Sequence, residues 1–194
     1  MTNAKSTFMQ LIETNLPGVV ILEPAVFPDK RGFFLESYHR EKFHELGIKS
    51  TFVQDNQSRS RRSVLRGLHF QLKSPQAKLC SVARGAVLDV AVDIRVGSPT
   101  FGQWTSVLLS DENHRMIFVP RGFAHGFHVL SEEADFLYKC DEFYAPQDQC
   151  GILWRDPQIG IDWQIPSGQT PIINARDNSY LPLGEMDISQ LPKY

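Results

Sequence analysis

Apolar and polar residues along this chain trade places with a period of two, and the runs that do so are short. Within residues 85–93, Ala86, Leu88, Val90 and Val92 share one parity, which Ile94 continues, while Asp89 and Asp93 fall on the other with Val87 and Ala91. Successive side chains of a strand point to opposite faces, so this segment reads as a strand with two distinct faces. Similar runs at 19–27, 51–57, 63–71, 78–83, 104–109, 116–119, 124–130 and 134–143 bring the expected total to about nine strands. One helix is expected over 39–46, closed by Gly47, with a short turn near 187–191. Thirteen Gly and twelve Pro are scattered between the runs as punctuation rather than gathered in a linker. The pattern predicts an all-β sandwich or barrel, and a pocket at its centre would make the inward-facing polar residues the informative ones.

Composition narrows the function classes. A chain of 194 residues suits a single well-buried domain, here 1–194. Twenty Lys and Arg against 22 Asp and Glu give a net charge of −2, without the positive field a duplex-binding protein carries, so nucleic acid is not an expected partner. Residues 1–18 lack a basic stretch followed by an apolar one, and no apolar run approaches the roughly 20 residues of a membrane span. A cytoplasmic protein with no membrane partner is the expectation. Cys80, Cys140 and Cys150 make no CxxC spacing and leave an odd thiol, which suits a reducing compartment and inert, buried cysteines.

Several polar residues sit where strands would turn them inward. In Leu65-Arg-Gly-Leu-His-Phe-Gln71, His69 shares parity with Leu65 and Gln71, whereas Arg66 points the other way unless Gly67 makes a bulge. His125 shares parity with Phe123, Phe127 and Val129 and faces an apolar side; His128 has the opposite parity and is expected to be exposed. Each histidine alone suits a hydrogen-bonded core group, but two pointing inward on separate strands suggest a site. Lys78 shares parity with Cys80 and Val82, and Tyr138 with Phe136 and Cys140; alone, these read as a solvated charge and a core tyrosine. Arg59, Arg61 and Arg62 suit a solvated turn, while Arg66 is the better candidate for two phosphate oxygens, which a guanidinium fork matches. Pro120-x-Gly-x-x-His125 resembles half of the cupin metal motif, but His69-Phe-Gln71 stands where His-x-His belongs and no glutamate follows. No metal is expected there.

Taken together, Asp29-Lys-Arg-Gly-Phe-Phe-Leu-Glu36, Phe52-Val-Gln-Asp-Asn56, Leu65-Arg-Gly-Leu-His-Phe-Gln71, Asp89-Val-Ala-Val-Asp-Ile-Arg95, Ser98-Pro-Thr-Phe-Gly102, Gly122-Phe-Ala-His-Gly-Phe127 and Tyr138-Lys139 occur in an order and spacing that resembles the dTDP-4-dehydrorhamnose 3,5-epimerase family. The resemblance runs from about residue 17 to residue 182. It implies a cupin-like jelly roll, a homodimer, and cofactor-free inversion at C3 and C5 of a thymidine-diphosphate 4-keto-6-deoxyhexose. A 4-keto group acidifies the hydrogens on both neighbouring carbons, so a base can form an enolate and an acid on the opposite face can invert the centre.

By the same resemblance His69 is the base, Asp177 in Asn174-Ala-Arg-Asp177 the carboxylate that orients it, Tyr138 the opposing proton donor and Lys78 the cation beside the enolate oxygen. It also implies substrate contacts: Arg31 and Arg66 toward the diphosphate, Glu36, Gln54 and Asn56 toward the nucleoside, His125 near the sugar, Phe34 and Tyr144 packing on base or sugar, and Asp55 as a further substrate contact. In the family the N-terminal strands are shared across the dimer, so Arg31 and Glu36 would serve a neighbouring pocket. Gln149 stands where many members carry a base-contacting glutamate, Arg121 follows Pro120 in place of a glutamate, Gln57 replaces a histidine, and Arg176 replaces the usual lysine. Gln149 exchanges an acceptor-only group for a mixed donor and acceptor, which loosens the inference of thymine preference. Alternatives within the class are a single-centre epimerase or a 3,4-ketoisomerase; outside it, a metal-dependent cupin oxygenase or a noncatalytic sugar-nucleotide-binding module.

Overall fold

The computed structural model describes residues 8–194, and in them the period-two pattern resolves into thirteen strands. In chain order these are β1 (Met9–Glu13), β2 (Val20–Pro24), β3 (Val26–Asp29), β4 (Gly32–Leu35), β5 (Gln54–Arg61), β6 (Leu65–Gln71) and β7 (Lys78–Arg84). There follow β8 (Ala86–Asp93), β9 (Trp104–Ser110), β10 (Met116–Val119), β11 (Phe123–Val129), β12 (Glu133–Cys140) and β13 (Gln149–Gly151). The single α-helix among the described residues, α1 (Arg40–Glu45), starts where His39 accepts a hydrogen bond from the Lys42 N–H and ends at Gly47, whose φ of +93° reverses the chain. A 3-10 turn at Ile188–Gln190, capped by Asp187, occupies the expected second site.

Two antiparallel sheets face each other. One has the order β1-β2-β10-β7-β12-β5, the other β13-β6-β11-β8-β9, and β3-β4 forms a separate hairpin. Between the sheets lies a core that includes Val87, Ala91, Ile117, Phe127 and Phe136. A second core covers the far face of the five-stranded sheet, where Leu88, Val90 and Val92 of β8, and Ile94 just beyond it, meet Ile152, Ile159, Trp163, Leu183 and Leu191 from the C-terminal segment. The two parities of β8 therefore belong to two different cores, and both are buried. The third core packs Phe43 of α1 and Ile48 against Leu22, Leu79, Met116 and Phe118 on the outside of the six-stranded sheet.

Several departures from the sequence-based expectation have local causes. The run 19–27 splits at Ala25, whose N–H bonds to Phe8 as the chain leaves β2 for the hairpin. β1 escapes the pattern because only Met9 of its five residues is buried, and β13 is too short to show a period. β5 extends through Ser58 to Arg61 because β12 pairs with it along its whole length, from Cys140↔Gln54 to Glu133↔Arg61. Arg59 thus lies in a strand, bonded to Asp135 at 2.7 Å, and not in a solvated turn. His128 is buried rather than exposed, since the far face of β11 is roofed by the C-terminal segment, and its Nδ1 bonds to the Trp163 carbonyl at 2.8 Å.

Candidate active site

β6 positions the first groups through a bulge. His69 pairs with His125 of β11, but Arg66 pairs with Phe127, so three steps along β6 match two along β11. Gly67 lies in the interval with φ of +124°, and a β-carbon there would meet the Gly126 backbone at 2.6 Å. Only glycine fits. The extra residue turns both Arg66 and His69 into one cavity, which a regular strand could not do.

The bulge also seats a carboxylate behind the histidine. Asp177, 1% exposed, accepts from the Gly67 N–H at 3.0 Å and lies 2.8 Å from His69 Nε2. Burial works against its ionisation, but the bonds from His69, Gly67 and the Asn174 region outweigh it and hold its pKa below the ordinary carboxylate value. For His69 the balance runs the other way: burial lowers the pKa, and Asp177 offsets only part of that. The imidazole is therefore neutral near pH 7, with Nε2–H donated to Asp177 and Nδ1 without a partner among the described residues.

The opposite wall comes from the six-stranded sheet. β7 and β12 pair with Lys78 opposite Cys140 and Cys80 opposite Tyr138. Lys78 Nζ lies 6.0 Å from the centre of the Tyr138 ring and has no ion pair among the described residues. Burial raises the Tyr138 pKa, so its phenol keeps its proton. Between the walls lies a cavity of about 380 Å³, the size of a small-molecule site. His69, Lys78, Tyr138, His125 and Arg66 line it, with Phe127 and Phe136, stacked at 4.1 Å, among its apolar lining.

Gln54, Asn56, Tyr144 and Gln149 line the same cavity and form a polar chain. Gln54 Nε2 donates to Asn56 at 2.8 Å, the Tyr144 N–H donates to Gln54 at 2.9 Å, and the Tyr144 hydroxyl donates to Gln149. Arg66 Nε donates to Ser60 at 3.1 Å. Gln71, at the would-be metal position, spends its amide on Ser74 and Ala145. Arg176 stands at the edge of this group: its Nε donates to the Tyr180 hydroxyl at 3.0 Å, that ring stands edge-on to His69, and its guanidinium also interacts with Tyr144.

Four expected contacts lie elsewhere on this chain. Asp55 has the opposite parity to Gln54 and Asn56, faces out of the sheet and pairs with Lys139 at 2.9 Å, so contrary to expectation it does not line this chain's pocket. Arg31 and Phe34 lie exposed on the β3-β4 hairpin, Arg31 paired with Asp29, and Glu36 pairs with Lys42. Beside that hairpin a second cavity of about 540 Å³, lined by Phe33, Leu35, Leu79, Met116 and Leu137, opens on the outer face of the six-stranded sheet.

Asp89, Ser58 and Tyr180 also stand at the site, though the sequence pattern gives none of them a role there. Asp89, fully buried, lies 2.9 Å from His125 Nε2, and its place among Val87 and Ala91 on the inner parity was the available signal. Ser58 lines the cavity and continues the parity of Gln54 and Asn56. Nothing local marked Tyr180. The three thiols are free, and burial raises the pKa of each, Cys140 to about 11, which keeps them protonated and unreactive. No helix among the described residues is long and apolar enough to cross a membrane.

Residues 13–185 match the family model described as dTDP-4-dehydrorhamnose 3,5-epimerase. Similar proteins of that description occur in Salmonella typhimurium, 56% identical over 87% of this chain and 92% of the relative, and in Escherichia coli, 50% identical over 92% and 96%. A crystal structure of a dTDP-6-deoxy-D-glucose-3,5-epimerase from Legionella pneumophila, in complex with dTDP-4-keto-L-rhamnose, is 50% identical and superposes with a TM-score of 0.92 over 96% of this chain and 98% of that one.

Proposed function

As a member of the dTDP-4-dehydrorhamnose 3,5-epimerase family the chain is a nucleotide-sugar epimerase, and we propose that it inverts C3 and C5 of dTDP-4-dehydro-6-deoxy-D-glucose to give dTDP-4-dehydro-L-rhamnose, a step of dTDP-L-rhamnose biosynthesis, through this cavity. The single observation that carries the reading is the pairing of walls: a neutral histidine on one sheet faces a protonated phenol and an unpaired ammonium on the other.

At each centre His69 Nδ1 takes the proton from the carbon next to the ketone, and the electron pair moves onto the C4 oxygen. Asp177 steadies the imidazolium so formed. Lys78 stabilises the enolate oxygen, where a preorganised charge in a water-poor site lowers the barrier by several kcal/mol. Tyr138 returns a proton from the other face, and the configuration inverts. Every group in this sequence is a side chain of the protein, and the ketone is both activator and electron sink. Arg66 is suited to the diphosphate, the Gln54, Asn56, Tyr144 and Gln149 chain to the pyrimidine and ribose, and His125 to the sugar.

The reading extends to a cytoplasmic protein that works as a homodimer with shared sites, and the hairpin supports the dimer. Phe27, Phe33 and Phe34 are 55%, 59% and 67% exposed, an apolar display that a lone domain does not maintain. In this reading the hairpin of each copy carries Arg31 and Phe34 into the other copy's pocket.

His69→Ala tests the base directly. Turnover is expected to fall at least the roughly hundredfold typical of a lost general base, with dTDP binding retained. Tyr138→Phe is expected to slow product formation more than exchange of the substrate's hydrogen with solvent. Near-normal turnover of His69→Ala, or loss of exchange in step with product in Tyr138→Phe, would contradict these roles.

A further inference from the structure

β6 gives His69 a neighbour on each flank: His125 of β11 on one side and Gly151 of β13 on the other. Paired residues of an antiparallel sheet set their side chains next to each other on one face, so a side chain at 151 would lie against the imidazole. Gly151 has none, and the Tyr180 ring takes the place. A β-carbon at Gly151 would overlap ring carbons of Tyr180, and that ring stands edge-on to His69, with centres 6.1 Å apart and planes at 77°. Tyr180 directly follows the 3-10 turn Asp177–Ser179, whose first residue lies 2.8 Å from His69 Nε2. One short turn thus brings a carboxylate and a ring to the same imidazole. The Tyr180 hydroxyl accepts from Arg176 Nε at 3.0 Å, and the Leu181 carbonyl accepts from the Leu153 N–H, which ties the segment to the chain just beyond β13.

Asp177 holds only one atom of the imidazole. A single bond at Nε2 lets the ring tilt about it, because the terminal torsion of histidine has a broad minimum, and a tilted ring no longer aims Nδ1 at the substrate carbon. We propose that Tyr180, seated on Gly151, is a positioning residue for the epimerisation, its ring fixing the plane of His69 so that Nδ1 faces the cavity. The proposal rests on His69 being the base. Tyr180 is not among the residues that line the cavity, and burial raises its pKa, so it acts through His69 and not as a second acid. Its ring also shields one flank of His69 from water, adding to the burial that lowers the imidazole pKa.

The test compares Tyr180→Leu, Tyr180→Phe and His69→Ala in the full-length protein by kcat and by the pH dependence of kcat/KM on dTDP-4-dehydro-6-deoxy-D-glucose. Without the ring, in Tyr180→Leu, kcat is expected to fall about ten- to a hundredfold through misplacement of the base. Water then reaches that flank of His69, its pKa rises toward the ordinary value of about 6.5, and the acid limb moves up, opposite to the direction expected of Asp177→Asn. Asp177 from the turn, Lys78 from β7 and His125 from β11, the charged and titratable groups that face His69, are unchanged in this variant. Tyr180→Phe keeps the ring and is expected to hold kcat within about threefold of wild type with the acid limb in place. Wild-type kcat and acid limb in Tyr180→Leu, a fall in kcat with the limb unmoved, or an equal fall in Tyr180→Phe would overturn the proposal, while an inactive His69→Ala keeps the base assignment standing; an active His69→Ala overturns both. If Tyr180→Leu does not fold, Gly151→Ala displaces the ring instead, and the same fall and the same upward limb are expected; wild-type values there overturn the proposal.

Discussion

His69 acts through the division of labour between its two nitrogens. Nε2 is tied to Asp177, which leaves Nδ1 for the proton from carbon, and only the neutral ring can serve. Burial holds its pKa below the usual 6.5, so the acid limb of kcat/KM is expected below pH 6.5, where a free imidazole would already be half protonated. Asp177 pushes in the other direction, raising that pKa. Asp177→Asn should therefore move the acid limb to still lower pH while cutting turnover by about ten- to a hundredfold. A pH-rate profile of the two proteins checks both effects; a limb that stays put or moves up would contradict the assignment. These roles could be read from the sequence only as blocks in order, because singly each residue suits a bland account: a core histidine, a solvated lysine, a core tyrosine. Asp89 is hidden for the opposite reason: its parity with Val87 and Ala91 is plain, but both faces of β8 are buried, and the pattern alone does not show which of the two lies between the sheets.

At the scale of elements the site depends on one irregularity in β6. Gly67 lets Arg66 and His69 share the cavity, and its N–H holds the carboxylate that orients the histidine. Gly67→Ala would force a methyl against the Gly126 backbone, which is part of the paired strand and cannot swing aside. The expected result is a loss of stability of about 2 kcal/mol or more, read as a lower denaturation midpoint, together with a fall in turnover. A variant with wild-type midpoint and rate would show that the bulge is not needed. The bulge was legible as an option from an Arg-Gly step before an inward histidine. The strands β1, β4 and β13 were not, since short or exposed strands carry no alternation to detect, and the length of β5 is set by its partner β12 rather than by its own polar sequence.

In a single copy the hairpin, and the part of the six-stranded sheet's outer face beside it that α1 does not cover, are left open. If hairpins cross between copies, a protein defective at Arg31 and another defective at His69 should complement each other when their subunits are mixed. Equal mixing of Arg31→Ala and His69→Ala is expected to restore about a quarter of wild-type turnover, since half the dimers are mixed and one pocket in each is intact. No recovery would place Arg31 in its own chain's service or in none. The sandwich itself was legible in the period-two pattern, whereas the roofing of the far face by the C-terminal segment, which buries His128 and delivers Asp177, arises from contacts distant in sequence. Inversion at both carbons flanking the ketone is measured by incubating the protein with dTDP-4-dehydro-6-deoxy-D-glucose in heavy water and reading C3 and C5 by NMR: deuterium at both carbons of the L-configured product is predicted, and deuterium at one carbon only, or at neither, would show that His69 and Tyr138 do not invert both centres.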